Sequence, residues 1–249
     1  MLAGTHDLIL PSTDSRYSAM KIFMPTTILF DLDGTLVDTM PSFANIAAQV
    51  MSMHASLDFG HARDLYLKTS GLPFEAQLDL IVPKHSKKKA MVDTFEKRKL
   101  HFSTRAKLAP STVEVLHHLR ASGIQIGISS NSYQEQVTNF AASSPVPFDF
   151  ALGFSQELSK GHSHISWLEK RGFGDRKHML FVGDSLSDAK TAQSSGISFI
   201  AVTTTFSRDA FESEISDITC ISDITGLIDL ICAPSTLSGG HVHDCPAAP

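Results

Sequence analysis

The stretch TILFDLDGTLVDT, residues 27–39, decides the fold. It begins with a run of apolar and β-branched residues, which is typical of a strand buried on both faces of a sheet. Two carboxylates, Asp31 and Asp33, follow this run at a spacing of two, and Gly34 comes directly after them. Acids at the end of a buried strand indicate either a polar turn or a functional site, and the rest of the chain has to decide between the two.

Further apolar runs of the same kind recur along the chain and alternate with helical patterns. The runs cover residues 124–129, 148–154, 178–183 and 197–202. Between them, residues 111–121 and 185–195 carry helical patterns that stop at Gly123 and Gly196. Strand and helix in strict alternation predict an α/β fold: a Rossmann-like, doubly wound parallel sheet.

One segment interrupts this alternation. Residues 40–108 contain no convincing strand but several helical patterns, with Pro41 and Pro110 near their ends. They predict an α-helical cap domain inserted into a core domain formed by residues 25–39 and 109–233. Residues 1–24 are then an N-terminal extension. Residues 234–249, rich in turn-forming residues, are predicted to be a flexible tail.

Composition narrows the possible partners and location. The chain has 249 residues with 42% hydrophobic and 19% charged residues, and its formal net charge of −5 gives no basic footprint for nucleic acid. No apolar run approaches the roughly 18 residues that a membrane span needs. The cysteines, Cys220, Cys232 and Cys245, lack the spacing of a disulfide framework or a zinc site. These features favour a cytoplasmic protein, monomer or homodimer, with a small-molecule partner.

Polar residues capable of chemistry follow each of the first four predicted strands. They are Asp31 and Asp33 after the first, Ser130 and Asn131 after the second, Lys160 beyond the third, and Asp184 and Asp188 after the fourth. Because ligands of open parallel sheets bind beyond the carboxyl ends of the strands, these side chains are expected to converge. Close carboxylates need a cation among them, for which Mg²⁺ is suited, while a hydroxyl and an ammonium suit phosphate oxygens. The set indicates phosphoryl transfer.

In this combination the sequence resembles the haloacid dehalogenase superfamily, in its phosphatase branch with an α-helical cap. The resemblance rests on DLDGT at residues 31–35, Ser130, Lys160, and GDSLSD at residues 183–188. It implies Asp31 as a nucleophile that forms an aspartyl-phosphate and Asp33 as general acid and then base. The third motif departs from the usual pattern because glycine, not proline, follows its lysine.

The same resemblance implies the remaining roles. Mg²⁺ is expected to bind the Asp31 carboxylate, the Asp33 backbone carbonyl and the Asp184 carboxylate, with Asp188 in a supporting role. The phosphoryl group is expected to contact Ser130, Lys160 and the backbone at Gly34, which allows close approach of an anion. Asn131 is a further candidate for substrate binding.

The substrate is less defined. Residues 31–49 most resemble phosphoglycolate phosphatase and its relatives, and residues 71–74 resemble the cap loop that faces the active site in such enzymes. The sequence therefore predicts a Mg²⁺-dependent phosphatase for a small metabolite of the phosphoglycolate or sugar phosphate type. Alternatives are a sugar phosphomutase of the same fold and a non-catalytic phospho-ligand binding domain. The lysine-rich residues 84–89 are expected to form a solvated helix face, unless one of them reaches an anionic substrate.

Overall fold

The structure, a computed structural model, describes residues 24–232. The predicted extension up to residue 23 and the predicted tail, residues 234–249, lie outside this part. Six parallel strands form one sheet in the order β3-β2-β1-β4-β5-β6. The strands are β1 (Thr27–Phe30), β2 (Gln125–Tyr133), β3 (Phe150–Phe154), β4 (Met179–Gly183), β5 (Ser198–Val202) and β6 (Thr219–Ile221).

Ten α-helices connect or extend these strands within the described residues. They are α1 (Met40–Ala55), α2 (Phe59–Lys68), α3 (Phe74–Ile81), α4 (Lys88–Ser103), α5 (Pro110–Ala121), α6 (Gln134–Ser143), α7 (His162–Lys170), α8 (Leu186–Ser195), α9 (Arg208–Glu214) and α10 (Gly226–Cys232). A short 3-10 helix, Arg176–His178, precedes β4. Within residues 24–232, every helix is too short or too polar to span a lipid bilayer.

The central strand β1 explains why the first apolar run is apolar throughout. All four of its residues are buried, and it pairs with β2 on one side and β4 on the other. Successive side chains point to opposite faces, so Ile28 and Phe30 join one hydrophobic cluster and Leu29 joins another. The chain winds outward from β1 in both directions, which confirms the predicted doubly wound α/β fold.

The strand order also determines where a ligand can bind. The sheet grows from β1 through β2 to β3 on one side and from β4 through β5 to β6 on the other. The connections reverse direction between β1 and β4, and the carboxyl ends of these two neighbours form a switch point, the usual ligand site of such sheets. Asp31 follows β1 there, and Asp184 follows β4.

The segment between β1 and α5, residues 40–108, is helical as expected and is called the cap segment below. It contains α1, α2, α3 and α4, whose apolar side chains form their own buried cluster. At its centre the rings of Phe74 and Phe95 stack with centroids 4.1 Å apart, and Tyr66 leans on both. The division into a core and a cap domain at residues 40 and 108 stays a prediction.

Two features of the sheet differ from the sequence-based expectation. The strand β2 continues to Tyr133 and therefore includes Ser130 and Asn131, which were expected to follow it. The three-residue strand β6 was not predicted, because a run this short leaves no recognisable pattern beside the helices around it.

Candidate active site

Three buried carboxylates meet at the switch point. Asp31, Asp184 and Asp188 each place one oxygen within 4.8 Å of the others. Asp188 lies in the first turn of α8, whose start is fixed by the Ser185 hydroxyl accepting the Asp188 N–H at 3.1 Å. The sequence pattern therefore brings one acid from each of two neighbouring strands, and one from the following helix, to a single point.

Lys160 neutralises part of this charge. Its Nζ lies 2.6 Å from Asp31 Oδ1 and 2.5 Å from Asp188 Oδ1, and its side chain is only 4% exposed. Burial lowers the pKa of Lys160, but the carboxylates of Asp188 and Asp31 outweigh this effect and raise it above its ordinary value. The lysine is therefore a permanent ammonium that holds two acids in place.

The chemistry of this cluster fits a divalent cation. Three ionised carboxylates and one ammonium leave two uncompensated negative charges in a buried site, which is costly. Burial raises the pKa of Asp31 well above its usual range, and burial with the nearby Asp188 charge raises that of Asp184 to about 6. Asp188 Oδ2 is buried and has no hydrogen-bond partner among the described residues. Oxygen ligands of this kind suit a hard metal ion such as Mg²⁺.

Threonines and a glycine position the Asp184 carboxylate. Thr35 donates to its Oδ1 at 3.1 Å, and Thr205 donates to its Oδ2. Gly34 has φ +95°, and a Cβ added there would lie 2.2 Å from Asp184 Oδ2. Only glycine allows the backbone to pass so close to this acid. Thr35 was visible in the DLDGT motif but received no role, and nothing in the sequence pointed to Thr205.

Asp33 lies beside the buried acids but has different partners. Its Oδ1 accepts from Thr39 at 2.8 Å, and its Oδ2 accepts from Ser132 at 2.8 Å. Lys99 of α4 places its Nζ 3.6 Å from the same Oδ2 and donates to Ser132 Oγ at 2.9 Å. The Asp33 carboxylate is thus held between β2 and the cap segment, where it lines the same cavity as Asp31.

Sequence reasoning missed Lys99. The lysines at residues 84–89 do not line the cavity that Asp31 and Lys99 share, and Lys88 pairs instead with Asp79 at 2.8 Å and Glu75 at 3.5 Å on the surface. Lys99 follows eleven residues later on the same helix, in a pattern without a distinguishing motif. Its position beside Ser132 and Asp33 is set by tertiary packing, which the sequence pattern does not reveal.

The predicted substrate-binding residues of β2 occupy two different positions. Ser130 is buried, and its Oγ accepts the Ser132 N–H at 3.0 Å. Asn131 donates from Nδ2 to the Gly71 carbonyl of the cap segment at 2.8 Å. Gly71 packs so tightly that an added Cβ would lie 2.2 Å from Ser185 Oγ. The loop between α2 and α3 therefore rests directly on the core.

These groups line a partly open cavity of about 60 Å³. The core lines it with Asp31, Asp33, Ser130, Asn131, Ser132, Lys160 and Asp184, and the cap segment with Met40, Phe43, Tyr66, Ser70, Gly71, Leu72, Gln77 and Lys99. Of the predicted site residues, Gly34 and Asp188 do not line it but contact residues that do. The structure thus brings all of them together in one place.

Comparison with known proteins supports the resemblance to the haloacid dehalogenase superfamily. Residues 28–202 match the haloacid dehalogenase-like hydrolase family. A phosphoglycolate phosphatase from Rhodobacter capsulatus is 24% identical over 186 residues, which cover 72% of this chain and 85% of that protein. One from Photorhabdus laumondii is 27% identical over 187 residues, 71% and 79% of the two chains.

The same fold occurs in solved structures. A haloacid dehalogenase-like family hydrolase from Streptococcus pneumoniae superposes with a TM-score of 0.69 at 20% identity, covering 82% of this chain and 97% of the other. The matched family segment spans more than half of the chain and contains every predicted site residue, from Asp31 to Asp188. The chain therefore belongs to the haloacid dehalogenase-like hydrolase family.

Proposed function

We propose that this protein is a Mg²⁺-dependent phosphatase that hydrolyses a small phosphorylated metabolite, of the phosphoglycolate or sugar phosphate type, through an aspartyl-phosphate on Asp31. The observation that carries this proposal is the buried contact of Lys160 with Asp31 and Asp188 beside Asp184, at a cavity that Asp31, Lys160 and Asp184 line. The class of enzyme, a phosphatase, is confirmed by the family match together with the curated relatives.

Mg²⁺ held by Asp31, Asp184 and the Asp33 carbonyl, with Asp188 in support, would supply positive charge to the phosphoryl oxygens. Lys160, which pairs with Asp31, supplies a second positive charge, and the Ser130 hydroxyl offers a hydrogen bond. Because phosphoryl transfer depends mainly on positioning and charge neutralisation, these groups provide the main elements of catalysis.

In the first step, a carboxylate oxygen of Asp31 attacks phosphorus and the bond to the leaving oxygen breaks. Asp33 gives its proton to that oxygen, so the leaving group departs as a neutral hydroxyl. The hydrogen bonds from Thr39 and Ser132 fix the Asp33 carboxyl group in one orientation for this transfer. The product of the step is an aspartyl-phosphate on Asp31 and an ionised Asp33.

In the second step, ionised Asp33 takes a proton from a water molecule, whose oxygen attacks the phosphorus of the aspartyl-phosphate. The bond between phosphorus and the Asp31 oxygen breaks, which restores the Asp31 carboxylate, and phosphate leaves. Asp33 is protonated again and ready for the next cycle. Lys160 and Ser130 exchange no proton in either step, so both can hold the phosphoryl group in the same orientation throughout.

The test is the variant Asp31→Asn, which keeps the shape of the side chain but removes the attacking carboxylate. We expect phosphate release from p-nitrophenyl phosphate with Mg²⁺ to fall below detection, while thermal unfolding shows an intact fold. Near-full activity in this variant would refute the nucleophile assignment. Wild-type enzyme treated with a chelator is expected to lose activity and to regain it when Mg²⁺ is added.

Product analysis separates the phosphatase from its nearest alternative. Wild-type protein incubated with a sugar phosphate should release inorganic phosphate and free sugar. An isomerised sugar phosphate without phosphate release would instead show a phosphomutase.

A further inference from the structure

The cap side of the cavity contains two polar groups for which the proposed reaction has no use. Lys99 Nζ and Ser70 Oγ both come from the cap segment and line the same cavity as Asp31. Ser70 is 4% exposed, and its hydroxyl is buried with no hydrogen-bond partner among the described residues. A buried hydroxyl without a partner costs free energy, so its position facing the cavity points to a ligand.

Lys99 has a donor left for such a ligand. Its ammonium carries three N–H groups, donates one to Ser132 Oγ at 2.9 Å and lies 3.6 Å from Asp33 Oδ2. Its side chain is 12% exposed and passes over the Phe43 ring, with Nζ 4.9 Å from the ring centroid. The packing fixes a positive charge in the cavity wall.

The other cap residues do not compete for this role. Gln77 is used within the cap segment, where its amide donates to the Leu72 carbonyl at 2.9 Å and accepts from Thr69 at 3.0 Å. Burial and the nearby Asp33 carboxylate raise the pKa of Tyr66 well above its usual range, so it adds no charge. Among the residues lining the cavity, Lys99 is therefore the cation of the cap side.

The distance between Lys99 and Asp33 defines which part of a substrate the lysine can contact. As general acid, Asp33 would lie about 2.6–3.2 Å from the leaving oxygen. A carbon atom two bonds of about 1.5 Å beyond that oxygen lies roughly 2.5 Å from it. A carboxylate at this carbon is within reach of the ammonium, because Lys99 is only 3.6 Å from Asp33.

The size of the cavity limits the leaving group. Its volume of about 60 Å³ has room for roughly four to six water molecules, at about 10–15 Å³ each. Once a phosphoryl group is bound, the remaining space favours a leaving group of a few heavy atoms over a bulky one.

We propose that Lys99 and Ser70 form a cap subsite that binds a carboxylate on the leaving group and so selects small phosphate esters with a second anionic group. This inference rests on the proposed function, since it assigns the part of the same cavity that faces the leaving group. Charged hydrogen bonds from Lys99, and a neutral one from the Ser70 hydroxyl, would orient the carboxylate away from the phosphoryl group.

Two substrates of equal length test the subsite. The probes are 2-phosphoglycolate, which ends in a carboxylate, and 2-hydroxyethyl phosphate, which ends in a neutral hydroxyl. The measured quantity is the ratio of their kcat/KM values, so that any effect of a substitution on the shared phosphoryl chemistry cancels. We expect wild-type enzyme to prefer the carboxylate at least about tenfold.

The variant Lys99→Met keeps the length of the side chain and removes its charge. We expect the ratio to fall about 10- to 100-fold in Lys99→Met and about fivefold in Ser70→Ala, as for lost charged and neutral hydrogen bonds. Lys88→Met, which removes a surface lysine of the same helix, serves as the matched control and should leave the ratio unchanged. Ser70→Ala removes only the hydroxyl oxygen, so it still tests the subsite if Lys99→Met does not fold.

The outcomes separate this inference from the proposed function. A wild-type enzyme that hydrolyses both probes equally, or a ratio unchanged in Lys99→Met, overturns the subsite and leaves the phosphatase standing. If the enzyme hydrolyses p-nitrophenyl phosphate but neither two-carbon probe, the subsite is likewise overturned and the phosphatase assignment stands. If wild-type enzyme with Mg²⁺ hydrolyses none of these compounds, the proposed function fails and the subsite with it.

Discussion

The two sides of the cavity are built in different ways. On the core side, Lys160 joins Asp31 and Asp188 at 2.6 and 2.5 Å, and all three side chains are at least nine-tenths buried. On the cap side, Lys99 contacts Asp33 at the longer distance of 3.6 Å, and the Ser70 hydroxyl has no described partner. The core groups are joined by short ion pairs, whereas the cap groups have longer or no contacts with charged or polar partners among the described residues.

The difference follows from where each side is attached. The core groups lie at the ends of neighbouring strands, whose parallel pairing fixes their spacing. Of the cap groups, Lys99 belongs to α4, and Ser70 belongs to the loop between α2 and α3, which is held on the core by the hydrogen bond from Asn131 to Gly71. The carboxyl ends of the strands thus hold their charged groups at a fixed spacing, and the cap segment provides a separate wall of the cavity.

The largest expected effect comes from breaking the core side. We expect Lys160→Met to reduce kcat/KM for p-nitrophenyl phosphate by about 10³-fold, because a buried positive charge next to the transferred phosphoryl group is lost. Without Mg²⁺, the variant should also unfold at lower temperature, since three buried carboxylates lose their cation. Phosphate release and thermal unfolding measure the two effects.

The control for this prediction is a lysine in an exposed ion pair. Lys190 Nζ lies 3.0 Å from Glu214 Oε2 with both side chains about half exposed, so Lys190→Met should leave activity and stability nearly unchanged. Activity of Lys160→Met within tenfold of wild type would show that Lys160 does not contact the phosphoryl group.

The core side is also the part that the sequence allowed us to predict. Asp31 and Asp184 directly follow apolar runs. In a parallel sheet, residues that follow the strands all lie at the carboxyl ends of those strands, on the same side of the sheet. The short motifs around Gly34 and Asp188 are local, because a close backbone approach and a helix start need only neighbouring residues. Strand pattern and topology together were sufficient to place these side chains.

The cap side could not be placed in the same way. Lys99 and Ser132 are 33 residues apart, and their contact depends on how the packing of the cap segment places α4 beside β2. Helices in the cap segment pack by apolar faces that fix no unique orientation in advance, so the sequence named the lysine-rich start of α4 rather than Lys99. The partner of Asn131, the Gly71 carbonyl, is a backbone group that no residue pattern marks.

A smaller effect tests how rigid the core side is. His164 of α7 is fully buried, with Nδ1 2.9 Å from Ser129 Oγ and Nε2 3.1 Å from the Gly153 carbonyl. It ties the helix that follows Lys160 to β2 and β3. Burial lowers the pKa of His164 to about 4 from 6.5. The unfolded chain therefore takes up a proton first, and the free energy of unfolding falls as pH decreases from about 6.5 towards 4.

We expect His164 to contribute about 2–3 kcal/mol to the difference in unfolding free energy between pH 7.5 and pH 4.5. Urea unfolding at both pH values should show that His164→Gln reduces this difference by that amount. His162→Gln, an exposed histidine of the same helix, should not reduce it. An equal pH dependence in wild type and His164→Gln would show that the buried imidazole is not the group that titrates.

The smallest effect concerns the contact between the two sides. Asn131 donates to the Gly71 carbonyl at 2.8 Å, so its amide is engaged with the cap segment although the sequence suggested substrate binding. We expect Asn131→Ala to lower kcat/KM about fivefold, chiefly by raising KM, because the loop over the cavity loses one hydrogen bond.

Asn45→Ala, which removes an exposed amide elsewhere in the cap segment, is the control. A loss of 100-fold or more, carried by kcat, would instead mean that Asn131 contacts the phosphoryl group. Whether the effect falls on kcat or on KM thus decides between two roles for Asn131: contact with the reacting phosphoryl group, or attachment of the cap-segment loop to the core.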